Sequence, residues 1–221
     1  MRVWVTRAEP GASRTAERLI GFGHHPLVAP LLRVEPIAAE IDLTGVGTLA
    51  FTSPNGVAAF AHRSTTRQLP VFTVGDATAE AALAAGFEQV RSAAGDLHAL
   101  AALLRQAAPG PVLGPGPEEP SGDLAALAAP VPVRPLPLYR TVWTGAAAPD
   151  AWDAVLIHSA KAARALAAAL PPEGARGRLA VAISAQAAEP LGALPLAELR
   201  IADSPDEAAL LQALGKASGP V

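Results

Sequence analysis

The stretch Thr52-Ser53-Pro54-Asn55-Gly56-Val57-Ala58-Ala59-Phe60 returns in altered form as His158-Ser159-Ala160-Lys161-Ala162-Ala163-Arg164-Ala165-Leu166. Each copy sets a serine where a helix N-cap belongs and continues with apolar residues at helical spacing. The likeness continues: Val71 to Ala85 resembles Ala180 to Leu194, and Asp96 with its following leucines matches Asp206. The offset drifts only from 106 to 110 residues, which loop-length changes accommodate. A repeat this long exceeds a solenoid unit and fits a duplicated domain.

Outward from the repeat, short β-type runs alternate with helical patterns: Arg2 to Val5, Pro26 to Pro30, Thr48 to Thr52, Val71 to Val74, Gln89 to Ala93 and Pro111 to Leu113. Such alternation predicts α/β architecture, with parallel sheets covered on both faces. Ser53 before Pro54 reads as an N-cap with proline at the first helical position, Asp96 reads as another cap, and Ser204, Pro205 and Glu207 read as a capping box. Pro109 to Pro120 is expected to be a mobile loop.

The first repeat is preceded by a strand, helix and strand, Arg2 to Pro30, which the middle of the chain does not need. That opening is assigned to the C-terminal domain, so residues 1–30 and 143–221 form one discontinuous domain and 37–135 an inserted one. The chain must then cross twice, at 31–36 and 136–142, whose prolines suit exposed two-stranded connectors better than a sheet interior.

The 221 residues carry 51% hydrophobic and 17% charged side chains, enough to bury a real core. No apolar run reaches the roughly 18 residues of a membrane span and no signal peptide is evident, so the expected location is the cytoplasm, with no membrane contact. Absence of cysteine excludes disulfides, thiolate metal sites and cysteine nucleophiles. A net charge of −3 argues against nucleic acid as a partner and requires any anionic ligand to be held locally. His24 and His25 have no carboxylate or cysteine at ligand spacing, so no metal is expected. Gly114 to Pro117 lacks the lysine and hydroxyl residue of a phosphate-binding loop.

Val5-Thr6-Arg7-Ala8-Glu9-Pro10, Thr15-Ala16-Glu17-Arg18-Leu19, Gly23-His24, Pro26 and Pro30-Leu31-Leu32 resemble the opening of uroporphyrinogen-III synthases. So do Phe51-Thr52-Ser53-Pro54-Asn55-Gly56-Val57, Val74-Gly75-Asp76-Ala77-Thr78-Ala79 and Leu138-Tyr139-Arg140-Thr141-Val142. The resemblance covers essentially the whole chain. It implies two flavodoxin-like domains joined by a two-stranded β connector, with the substrate bound between them. It further implies hydroxymethylbilane as substrate, uroporphyrinogen III as product, no cofactor, and a place in heme and tetrapyrrole synthesis. The reaction loses water and closes the ring with inversion of the last pyrrole through a spiro intermediate. A monomer is expected, with transient contact to porphobilinogen deaminase.

A substrate bearing several carboxylates needs anion sites, and helix N-termini at the carboxyl ends of strands supply them. The candidate substrate-binding residues are Arg7, Ser53, Asn55, Gly56, Gly75, Thr78, Ser159, Lys161, Ser184 and Gln186. For any single serine among them, plain helix capping is an equal alternative, and His158 ends a strand beside the same turns. Tyr139, the only tyrosine, is the catalytic candidate: a phenol on the returning connector can hydrogen-bond the departing hydroxyl or act as a weak general acid. The family's second motif carries glycine and threonines where this chain has Ser184 to Ala188, so Ser184 or Gln186 must substitute. The arginine found after the inserted domain's fourth strand is also missing from Leu113 to Glu119. A second reading of the chain is therefore a non-catalytic homologue that binds a tetrapyrrole or another polycarboxylate.

Overall fold

A computed structural model describes residues 1–107 and 110–216. They form two compact units, Met1–Arg33 with Val142–Val221, and Val34–Thr141.

The first unit is built on β1 (Arg2–Val5), β2 (His25–Val28), β9 (Ala154–Ile157), β10 (Leu179–Ala182) and β11 (Glu198–Ile201), and its sheet order is β11-β10-β9-β1-β2. Every pairing in it is parallel. The sequence reading ran the second strand to Pro30; pairing stops at Val28. In order of appearance the strands lie 2-1-3-4-5, the flavodoxin-like arrangement, whose direction of winding switches between β1 and β9. Side chains alternate across this sheet because successive strand residues face opposite ways. Val3, Val5, Ala154, Leu156 and Val181 pack under α1 (Gly11–Gly21) and α8 (Glu207–Leu214). Trp4, Val155, Ile157, Ala180 and Ala182 pack under α6 (Ala160–Ala169) and α7 (Ala185–Ala188).

The second unit uses β4 (Thr48–Phe51), β5 (Val71–Thr73), β6 (Val90–Ser92), β7 (Val112–Pro117) and β8 (Val133–Trp143), with β3 (Leu32–Pro36) at the edge, in the order β3-β8-β7-β4-β5-β6. Its five parallel strands give 5-4-1-2-3, a circular permutation of the first unit's order, and the switch falls between β7 and β4. The repeat thus matches β4 to β9 and β5 to β10, while β1 and β2 correspond to β7 and β8. One face carries α2 (Pro54–Arg63) and α3 (Asp76–Ala84) over a Phe51, Phe60 and Phe87 cluster, and the other carries α4 (Leu97–Ala107) and α5 (Leu124–Ala128).

Two expectations require correction. The strand expected at Pro111 to Leu113 runs on to Pro117 as β7, so Gly114 to Pro117 is not a mobile loop, while Pro109 lies outside the described residues. Its prolines are tolerated because β4 pairs only with Val112 and Leu113, so Pro115 and Pro117 face a partner strand on the β8 side alone. Likewise the return crossing is no separate linker at its start: β8 runs eleven residues and opens inside the sheet, Val133 opposite Val112. Leu136 and Leu138 are buried there while Pro137 faces solvent, so alternation accommodates the proline.

Six helix starts share one device, whereas α1 and α3 have no side-chain cap. Ser53, Asp96, Asp123, Ser159, Ser184 and Asp206 each accept a hydrogen bond from the backbone N–H three residues on. The expected capping box at Ser204 is corrected here. Asp206 is the N-cap of α8, Ser204 bonds the Asp206 carboxylate instead, and Glu207 turns elsewhere.

Candidate functional site

In open parallel sheets the strand carboxyl ends and the helix N-termini after them gather along one edge. In the second unit, Ser53 follows β4 and caps α2, and its Oγ accepts from Gly56 N–H at 3.2 Å. The same oxygen lies 2.8 Å from the Tyr139 phenol on β8. Gly56 allows this close assembly, because a Cβ there would stand 2.7 Å from the Pro115 carbonyl of β7. Tyr139 is 4% exposed, and burial, only partly opposed by the Ser53 bond, pushes its phenol above the ordinary value of 10. It therefore keeps its proton at neutral pH and remains a donor.

Asn55 sits half-buried in the first turn of α2. Gly75 is the N-cap residue of α3, in extended backbone, at the end of the neighbouring strand β5. Thr78 does not cap that helix: it is 3% exposed within α3. Its repeat counterpart Ala187 is equally buried in α7, so the threonine lost from the second copy belongs to a packed position.

In the first unit, Arg7 follows β1, Ser159 follows β9 and Ser184 follows β10, three neighbouring strands. Both serines cap their helices. Lys161 is half-buried at the start of α6, and Gln186 is exposed on α7.

Arg7 is held by residues that the sequence reading did not connect to it. Its Nη1 donates to Glu207 Oε2 at 2.9 Å, and Thr15 donates its hydroxyl to Glu207 Oε1 at 2.6 Å. His158 Nε2 lies 3.0 Å from the same Oε2. Burial pushes the His158 imidazole below its usual range, so at neutral pH it is neutral and donates Nε2–H; its buried Nδ1 then has no partner among the described residues. For Glu207, burial alone would favour the protonated acid. The His158 hydrogen bond, the charge that His158 gains when it is protonated in acid, the Thr15 hydroxyl and the Arg7 charge outweigh it, and the carboxyl is held down to about 2. Local patterning gave Glu207 a capping role, whereas its partner lies 200 residues away. Only the pairing of β1 with β9 and the docking of α8 bring these groups together.

His24 is also buried, with Nε2 2.7 Å from the Gly215 carbonyl, a bond that ties the start of β2 to the end of α8. Among the described residues no group of three histidines and carboxylates could hold a metal ion. No helix there is long and apolar enough to cross a membrane.

These features define a two-unit α/β protein whose polar residues collect at the strand carboxyl ends beside each switch point. Residues 13–212 match the family model of uroporphyrinogen-III synthase HemD, and the chain belongs to that family. The fold is shared with uroporphyrinogen-III synthetase from Helicobacter pylori, at a TM-score of 0.68 and 18% identity over 96% of both chains. It is also shared with a mutant uroporphyrinogen III synthase from Thermus thermophilus, at a TM-score of 0.55 and 18% identity over 97% of both chains. No curated protein matches the chain by sequence.

Proposed function

We propose that this chain is a lyase that closes hydroxymethylbilane into uroporphyrinogen III, with loss of water and inversion of the terminal pyrrole, and so acts in heme and tetrapyrrole synthesis. Membership of the family over residues 13–212 supports the reaction. The observation that carries the reading at the level of residues is the Ser53–Tyr139 pair at the carboxyl end of β4.

Ring closure asks the protein for orientation more than for strong acids or bases. Confining the two ends of a flexible chain can supply up to roughly 7 to 11 kcal/mol in favourable intramolecular cases. Tyr139 is the catalytic residue: a buried phenol that keeps its proton hydrogen-bonds the departing hydroxyl and assists its loss as water. Ser53 fixes that phenol. Asn55, Gly56, Gly75, Ser159, Lys161, Ser184 and Gln186 bind substrate carboxylates through the helix starts they occupy, and Arg7 adds a cationic fork. Thr78, in the first turn of α3, adds a hydroxyl donor to the substrate at the same helix start as Gly75. The protein acts as a monomer in the cytoplasm, and a transient contact with porphobilinogen deaminase would shorten the free life of a substrate that also closes spontaneously.

The test is isomer analysis. Purified protein given freshly generated hydroxymethylbilane shifts the product from the spontaneous type I isomer to type III. Binding of the bilane with an unchanged type I product would instead support a non-catalytic homologue.

A further inference from the structure

Glu207 and Arg7 raise a physical question, since a cation meant for an anionic substrate is already paired with a carboxylate. The geometry resolves it. Glu207 takes only Nη1 of Arg7. Both carboxylate oxygens are occupied, Oε2 by Arg7 and His158 and Oε1 by Thr15, so the anchor itself is fixed.

Gly11, the first residue of α1, fixes the guanidinium plane. A Cβ at Gly11 would lie 2.6 Å from Nε, 2.8 Å from Cζ and 3.0 Å from Nη2 of Arg7. These distances to three atoms of a planar group place that point above its face on the Nε–Nη2 side. The α1 backbone therefore supports the face, and the edge formed by Nε–H and Nη2–H has no hydrogen-bond partner among the described residues. That edge carries two parallel donors, the pattern that matches a carboxylate side-on. The Arg7 side chain remains one-third exposed. Arg7 and His158 follow β1 and β9, the two strands flanking the first unit's switch point, where ligands of such sheets bind.

We infer that Glu207 and Gly11 are positioning residues that hold the Arg7 guanidinium with its Nε–Nη2 edge presented to one carboxylate of the substrate. The inference rests on the reading of the substrate as a polycarboxylated tetrapyrrole.

The experiment pairs turnover with binding. The probe is uroporphyrin III, the stable oxidised form of the expected product, followed by fluorescence titration on Arg7→Gln, Arg7→Lys, Gly11→Ala and Glu207→Gln, with thermal melting as the folding control. Gly11→Ala meets only the end of a flexible side chain, so it displaces the guanidinium while the fold is kept. Arg7→Gln and Gly11→Ala are expected to weaken binding and raise KM roughly tenfold or more, with kcat changed less than about threefold. Arg7→Lys keeps the charge but not the fork, and is expected to bind as weakly as Arg7→Gln; Glu207→Gln falls between. Full binding by Arg7→Lys or by Gly11→Ala would overturn the inference. Should the wild type bind the probe through Arg7 yet form no type III isomer, the mount stands and the catalytic reading fails.

Discussion

The hydroxyls of Ser53 and Tyr139 lie 2.8 Å apart although 86 residues separate them in the chain. The serine is already engaged by Gly56 N–H, so its oxygen is fixed by α2 and in turn fixes the phenol. Tyr139→Phe is expected to lower kcat by up to roughly 100-fold, the lower end of what a general acid contributes, with melting unchanged. Steady-state formation of the type III isomer measures this; unaltered kcat would remove Tyr139 from the mechanism.

Ser53→Ala removes two functions at once. Loss of the cap costs about 1 kcal/mol of stability, read by chemical denaturation. Loss of the phenol's partner lowers kcat as well, whereas Ser53→Thr keeps the hydroxyl and restores most of both. A variant that loses stability but keeps full kcat would show that Ser53 is a cap alone.

Gly56 is needed for a close approach of backbones. A Cβ there would meet the Pro115 carbonyl at 2.7 Å, and a strand carbonyl cannot rotate away as a side-chain end can. Gly56→Ala is expected to destabilise the protein by about 1 to 3 kcal/mol and to shift Ser53 with the start of α2. Denaturant midpoints test the first effect, and type III formation the second.

Acid stability should follow the Glu207 cluster. His158 is depressed below its ordinary 6.5 by burial, so the stability it confers is complete above that value and declines as pH falls below it. Glu207 is depressed from 4.5 to about 2, so its contribution is complete above about 4.5 and is lost as pH drops toward 2. Glu207→Gln is expected to cost about 1 to 3 kcal/mol at neutral pH, and the gap to wild type should narrow below pH 4.5. Melting curves from pH 8 to pH 3 decide this; a constant gap would mean that the Glu207 charge adds nothing.

Ala94 holds a left-handed backbone, φ 48°, in the turn between β6 and α4. Ala94→Gly relieves that conformation and is expected to raise stability by up to about 1 kcal/mol, the gain being reduced by glycine's freedom in the unfolded chain. A fall in melting temperature would contradict it.

Much of the architecture was legible because its signals are local. Strand-like runs and the Ser53 and Asp96 caps depend on residues a few positions apart, and the 52/158 repeat is legible by direct comparison of two short segments. The misreadings came where neighbours in space change what a local pattern permits. Gly114 to Pro117 looks like a loop by composition, yet it is a strand because β8 pairs it on one side and β4 leaves its prolines alone. Ser204 and Glu207 have capping-box spacing, but Asp206 takes the cap and frees Glu207.

The sequence by itself determined the alternation of strands and helices, the duplication, and the turns at which polar residues collect, because each is written in spacing and in cap or turn chemistry. Tertiary structure alone decided that the second unit is wound as a permutation of the first, and that Arg7 shares Glu207 with His158 while Ser53 holds Tyr139. These partnerships join elements up to 200 residues apart. Sheet pairing and helix docking create them, and no local pattern encodes which distant side chains will share a hydrogen bond.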